Sequence, residues 1–300
     1  SVNFLHVNLE DQLLASELDN NPPAFLVANL KEQYPSFKGL VKASQYSVEK
    51  ECPDILAQSA VLALVEKDKA PVLIYQKNID AQRPIASITK LLTVLTANDF
   101  LKENQLITIS DKAISQADET GLLKTQEQIS FLDLSRMMLM ESSNDAAFAV
   151  SEGVKDRDFI LAMNLKAQAL GMVSSYFFNP TGLDSSLGVI QTNYSTARDL
   201  VALASYLLTE PKILDILAQK EYLLYVGGVF HHNIATTNEL LGALPEILGG
   251  KTGTTDLAGG CLLEIAKTKA EQKYLISVIL NSTDRFGDTK KLFECFNSTL

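Results

Sequence analysis

Two short stretches of the chain place a serine and a lysine three residues apart. One is "IASITKLLTVL", with Ser87 and Lys90; the other is "QYSVEKECP", with Ser47 and Lys50. Residues at i and i+3 on a helix lie side by side, so each pair can bring a hydroxyl next to an amine. Serine is a poor nucleophile at neutral pH and needs a base beside it. Lysine serves as that base only when neutral, which requires desolvation or neighbouring positive charge. A helix start adds free backbone N–H groups, useful where an oxyanion develops. Context separates the two pairs. Ser87 lies just behind Pro84 and ahead of a helical apolar face made by Ile88, Leu91, Leu92 and Leu95. Lys50 sits between Glu49 and Glu51, whose carboxylates keep it charged, and that pair reads as solvated surface.

Two further motifs give the first pair company. "SSN", Ser142-Ser143-Asn144, offers a second hydroxyl and an amide at i, i+2 spacing inside a helical stretch. In a sharp interhelical turn both side chains can enter one cleft. "KTG", Lys251-Thr252-Gly253, sits at the edge of a strand-like run. It brings a cation, a hydroxyl, and a glycine that lets a substrate approach the backbone closely.

Other chemistries find little support. The net charge is −10, and no basic stripe is present, so nucleic-acid binding is not expected. Cys52, Cys261 and Cys295 form no C-x-x-C pair, and His6, His231 and His232 have no metal-ligand spacing, so neither metal nor cofactor is expected. The adjacent His231 and His232 read as a polar loop or strand edge. No apolar run reaches the roughly 20 residues of a membrane span, and the first residues do not read as a signal peptide.

The elements that must position these groups follow from periodicity. Residues 1–50, with the breaker Asn21-Pro22-Pro23, read as an N-terminal extension or tether. "SAVLALVE" and "APVLIYQ" form two apolar runs around "KDK", a hairpin pattern. Residues from about 100 to 232 read as mostly helical, broken at the Ser142–Asp145 cluster. Strand character returns in "AGGCLLEIAKT" and "KYLISVILNS", and "DTKKLFECFNSTL" reads as a closing amphipathic helix. Short turns require antiparallel pairing. The expected fold is therefore α/β in the α+β sense, an antiparallel sheet flanked by helices. Its parts are about 51–95 and 235–300, with a helical subdomain of about 96–234 inserted between them.

The motifs Ser-x-x-Lys, Ser-x-Asn and Lys-Thr-Gly, in that chain order, mark penicillin-binding proteins and related β-lactamases. The chain resembles the serine-type D-alanyl-D-alanine carboxypeptidases, the low-molecular-weight penicillin-binding proteins. The likeness extends through "RPIASITKLLTVLTA", "LMESSNDAAFAVSE", "AMNLKAQALGM", "NPTGLD", "STARDL", "TTNELLGALPEILGGKTGTTDLAGGCLL" and "DRFGDTKKLF", from about residue 55 onward. It implies a penicillin-binding-protein-like sheet of about five strands, without the C-terminal β domain of many members. It implies Ser87 as the acylated nucleophile, Lys90 as its base, and Ser142 as a proton relay to the leaving D-alanine. Asn144, Lys251, Thr252, Gly253 and Thr254 would bind substrate, with Ser87 and Thr254 N–H groups as oxyanion hole. Arg285 would take the substrate's terminal carboxylate, or else pair at the surface with Asp284 or Asp288.

The resemblance also implies partners and place: a peptidoglycan stem peptide ending in D-Ala-D-Ala, β-lactams as covalent inhibitors, and an extracytoplasmic setting. A membrane tether would lie outside these residues. In such a fold Cys52 and Cys295 are neighbours, which suggests a disulfide. Thr181 stands where many members carry His, and Ser143 where Gly or Ala is common. A β-lactamase, an endopeptidase and a non-catalytic β-lactam sensor remain open; "NPTGLDSSLGVIQTN" lacks the glutamate a β-lactamase uses to activate water.

Overall fold

The computed structural model describes residues 54–66, 69–117, 122–155, 158–185 and 191–297. Residues 1–50, and Cys52 with its suggested disulfide, lie outside the described residues.

Apolar runs bounded by short turns build a five-stranded antiparallel sheet. It comprises β1 (Ser59–Glu66) and β2 (Val72–Lys77), then, after the helical region, β9 (Ile247–Thr255), β10 (Gly259–Lys267) and β11 (Lys273–Ser282), in the order β2-β1-β11-β10-β9. Side chains alternate between faces. Val61, Ala63, Leu263, Ile265, Ile276 and Val278 enter the large core shared with the helices. Ala60, Leu62, Leu262, Ala266, Leu275 and Ile279 form a second core with Leu292 and Phe293. Both faces are therefore buried, which explains why β10 and β11 read as continuous apolar runs. Leu292 and Phe293 belong to α7 (Arg285–Asn297), the closing helix. Its buried Asp288 accepts hydrogen bonds from Leu56 N (2.9 Å), Ala57 N (2.8 Å) and Ser282 Oγ (2.6 Å), locking the entry to β1 onto α7.

Helix α1 (Thr89–Ala97) carries the expected apolar face and is buried on its other sides too, all nine of its residues included. It runs through the middle of the helical region between α3 (Asn144–Gly153) and α4 (Phe159–Ala169), so its polar side faces protein rather than water. Threonines there are satisfied internally: Thr93 Oγ1 donates to Pro180 O at 2.7 Å and Thr96 Oγ1 to Leu92 O at 2.7 Å.

The segment 100–235 is less purely helical than its composition suggests. It holds α2 (Phe131–Arg136), α3, α4, α5 (Ala197–Leu207) and α6 (Pro211–Leu217). Among the described residues it also carries two two-stranded sheets and one strand of a third, whose partner precedes α1. These pair β3 (Arg83–Pro84) with β6 (Tyr194–Ser195), β4 (Leu106–Thr108) with β5 (Gln128–Ser130), and β7 (Glu221–Val226) with β8 (Val229–Ala235). The β7–β8 hairpin turns at Gly227-Gly228, both at positive φ, a signal that its alternating sequence already carried. Helix starts follow capping chemistry: Ser130, Ser143 and Thr196 side chains accept from the N–H three residues on.

Candidate active site

Ser87 sits in a 3-10 turn, Ala86–Ile88, that feeds directly into α1. Ala86 has φ +46°, a left-handed conformation costly for a residue with a Cβ. Two glycines allow it. A Cβ on Gly182 (φ +86°) would lie 2.0 Å from Ala86 O, and one on Gly253 would lie 2.9 Å from Ser87 N. The "NPTGLD" loop and strand β9 thus press on the serine turn from two sides.

Lys90 lies one turn along, fully buried, under Ser87. Its Nζ is 2.7 Å from Ser87 Oγ, 2.7 Å from Asn144 Oδ1 and 2.7 Å from Thr181 O. Asn144 is held in turn, its Nδ2 donating to Ala117 O at 2.9 Å. The Ser-x-Asn turn gets its shape from an unusual device. After α2 the chain widens into a π turn, Met137–Glu141, and then Ser142 takes φ +70° before Ser143 caps α3. That reversal places Ser142 and Asn144 on the same cavity.

The cavity measures about 190 Å³ and is lined by Ser87, Ser142, Asn144, Thr252, Gly253, Thr254 and Arg285 among others. Seven of the nine residues expected from sequence therefore converge on one opening. The other two, Lys90 and Lys251, lie buried behind it. Lys251 Nζ donates to Thr252 O at 3.0 Å, and burial, then the Arg285 charge, push its pKa down to about 7. Arg285 is turned toward β9, not toward a surface carboxylate: its Nη1 donates to Gly253 O at 2.8 Å and to Thr254 Oγ1. Burial lowers its pKa as well. Cys261 is a buried thiol whose pKa burial raises to about 11, in keeping with a packing role.

Sequence reasoning missed several contributors. Thr181 acts through its carbonyl, which no side-chain pattern reveals. Thr237 hydrogen-bonds Thr252 Oγ1 across 2.5 Å and also lines the cavity. Asp184 pins the end of the "NPTGLD" loop to β9, accepting from Thr255 Oγ1 (2.8 Å) and Leu257 N (3.0 Å). Glu141 lines the cavity directly before Ser142, and its carboxylate meets His232. Both histidines lie on an edge strand, β8 of the two-stranded hairpin, but with side chains only 10% and 12% exposed.

The arrangement is a hydroxyl with an adjacent buried amine, a second hydroxyl, an amide, and a guanidinium at the far wall. It suits nucleophilic attack on a carbonyl compound bearing an anionic end. The sequence profile of the D-alanyl-D-alanine carboxypeptidase family matches residues 45–284. The chain is 31% identical over 218 residues to the D-alanyl-D-alanine carboxypeptidase DacF of Bacillus subtilis, covering 70% of this chain and 54% of that protein. It is 33% identical over 231 residues to a D-alanyl-D-alanine endopeptidase of Haemophilus influenzae, covering 73% and 76%. Its fold is similar to penicillin-binding protein D2 from Listeria monocytogenes in the cefotaxime-bound form. That match has a TM-score of 0.71 at 29% identity and covers 82% of this chain and 99% of the other. The chain thus spans about half the length of the Bacillus relative.

Proposed function

The chain belongs to the D-alanyl-D-alanine carboxypeptidase family, and from that premise we propose that it is a serine D-Ala-D-Ala peptidase acting on peptidoglycan stem peptides. The observation that carries this reading is the 2.7 Å approach of buried Lys90 Nζ to Ser87 Oγ at the foot of an open cavity. Ser87 Oγ attacks the carbonyl carbon of the penultimate D-alanine and passes its proton to Lys90. The peptide C–N bond breaks, and Ser142 delivers its proton to the departing D-alanine amine while taking up the one that Lys90 holds, which leaves Lys90 neutral again. Water then cleaves the acyl ester and frees Ser87. Backbone N–H groups of Ser87 and Thr254 hold the oxyanion. Asn144 and Thr252 orient the peptide, Gly253 keeps the wall low, and the buried Lys251 adds positive potential. Arg285 receives the terminal carboxylate. A β-lactam such as cefotaxime enters as the same acyl donor and leaves a slow ester on Ser87.

In this reading residues 51–300 form the catalytic unit, it works outside the cytoplasmic membrane, and residues 1–50 are an extension. No described helix is long and apolar enough to cross a membrane. The decisive experiment measures D-alanine release from a peptide ending in D-Ala-D-Ala by wild type beside Ser87→Ala, with fluorescent penicillin labelling in parallel. Release and labelling that both vanish in the variant support the proposal. Labelling without release favours a sensor, and absence of both in the wild type removes the catalytic reading. Similarity to the Haemophilus endopeptidase favours a second activity on cross-linked peptides. Cleavage of a cross-linked dimer faster than of a monomer would make that the principal one.

A further inference from the structure

Beside the cavity, four titratable side chains form an unbroken chain that the reaction above does not use. Glu127 Oε1 lies 3.3 Å from His231 Nε2, His231 Nδ1 lies 2.6 Å from His232 Nδ1, and His232 Nε2 lies 3.2 Å from both Glu141 oxygens. All four side chains are less than a fifth exposed. Neighbouring strand residues ordinarily point to opposite faces. Here the β7–β8 register passes from Leu224↔His232 to Tyr225↔Phe230, leaving His231 as a bulge residue. The bulge turns both imidazoles to one side, which is the usual effect of such an insertion.

The chain can be counted in protons. Each of its three contacts joins two atoms that repel as bare lone pairs, so each needs one hydrogen. Two neutral imidazoles supply two, and two carboxylates supply none. The assembled chain therefore holds one proton more than its neutral rings provide, shared along it rather than owned by one ring. Glu127 comes from the turn before β5 and Glu141 from the end of the π turn. On the same inward face of the hairpin stands Tyr222, whose hydroxyl donates to Asp133 at 3.3 Å and whose ring lies 4.1 Å from the Arg136 guanidinium. Leu224, opposite His232, is apolar and buried. Burial pushes the His232 imidazolium down, with Glu127 pulling it up. When the extra proton leaves, one of the three contacts must open.

Glu141 is joined directly to Ser142, whose φ of +70° is held only by its surroundings. We propose that Glu127, His231, His232 and Glu141 act as a proton-loaded brace that positions Ser142 through Glu141, so that acylation weakens as the brace unloads. This rests on the reading of Ser142 as a participant in acylation. His231 and His232 are positioning residues; neither lines the cavity.

Glu127→Gln tests the count. Its amide N–H donates to His231 Nε2, so all three contacts close with no extra proton. Its amide oxygen can still accept from Lys124 N, as Glu127 does at 3.2 Å. The rate constant for acylation by fluorescent penicillin, separated from its binding constant, is followed from about pH 5.5 to 9, the range in which imidazoles titrate. Wild type shows a steeper alkaline decline than Glu127→Gln, which keeps only the fall that Lys251 imposes on both through about 7, with similar rates at the acid end. His232→Ala, which severs the brace, acylates about tenfold or more slowly across the range with unchanged binding constant, as expected for a misplaced relay. Superimposed profiles for wild type and Glu127→Gln overturn the proposal, as does wild-type acylation by a folded His232→Ala. If His232→Ala does not fold, the Glu127→Gln comparison decides alone. If wild type is never labelled, the acylation reading fails instead, and histidine 15N shifts judge the brace: near pH 6 they must show one more ring proton in wild type than in Glu127→Gln.

Discussion

Lys90 Nζ lies 2.7 Å from Ser87 Oγ, and at the same distance from two oxygens that can only accept, Asn144 Oδ1 and Thr181 O. A neutral amine has two N–H groups and one lone pair. Directing both N–H groups at the carbonyl oxygens leaves the lone pair facing the serine hydroxyl, which is the arrangement a general base requires. An arginine cannot adopt it, because guanidinium stays protonated. Lys90→Arg is expected to keep its fold and to lose acylation by about 10²–10⁴-fold, the usual worth of a positioned base. Stopped-flow labelling with fluorescent penicillin checks this; a loss under tenfold would refute the assignment of Lys90 as base.

The two glycines around the serine turn should fail differently. Gly182→Ala forces a Cβ against Ala86 O at positive φ, so both stability and acylation should drop, the former by roughly 1–3 kcal/mol. Gly253 lacks positive φ, and its added Cβ meets Ser87 N at 2.9 Å. Gly253→Ala carries no φ penalty and should therefore lose less stability than Gly182→Ala, yet acylate about tenfold or more slowly, since small displacements of a nucleophile are costly. Thermal melts beside labelling rates separate the two.

Glu264 is fully buried in the second core, opposite Ser277 on β11 and Gly250 on β9, and only the Asn238 amide approaches its carboxyl, without a well-formed hydrogen bond. Burial raises its pKa to about 8, against a weaker pull from the nearby Asn238 amide. The folded protein thus holds this proton more tightly than the unfolded chain does. The stabilisation from that proton is complete below the unfolded value of 4.5 and is lost as pH rises through about 8. Glu264→Gln removes this dependence. Its stability should gain on wild type steadily between those limits, by a few kcal/mol at most at about 1.4 kcal/mol per pKa unit, read as a widening difference in melting temperature. A constant difference across that range would contradict the buried, protonated carboxyl.

Arg285 reaches over the rim to Gly253 O and Thr254 Oγ1. If it receives the substrate's carboxylate, Arg285→Gln should lower kcat/KM roughly 10²-fold for a free-acid D-Ala-D-Ala peptide, a charged hydrogen bond being worth about 1.5–3 kcal/mol. The same peptide amidated at its C-terminus should respond little. Equal losses on both substrates would mean that Arg285 only supports β9.

Much of the site was legible because its chemistry is local. Ser87 and Lys90 share one helical turn, Ser142 and Asn144 one reversal, and Lys251 to Gly253 one strand, so spacing proposes these groups, and the family resemblance adds Thr254. The sheet was legible for the same reason, its apolar runs and short turns permitting only antiparallel pairing. The β7–β8 hairpin was missed although "YLLYVGGVFHHNIA" alternates around Gly-Gly, because the helical stretches on its N-terminal side dominated the reading. The apolar face of helix α1 was legible from Ile88, Leu91, Leu92 and Leu95, whereas the burial of its whole circumference depends on elements distant in sequence.

The sequence by itself determined which residue types stand at catalytic spacing and which strands must pair, since both depend on neighbours within a few positions. Only the tertiary structure decided the rest. It supplied the acceptor Thr181 O from 91 residues away and buried Lys251. It also brought His231 and His232 together through a bulge. Each of these depends on backbone direction and on contacts between distant segments, which a linear pattern of side chains does not encode.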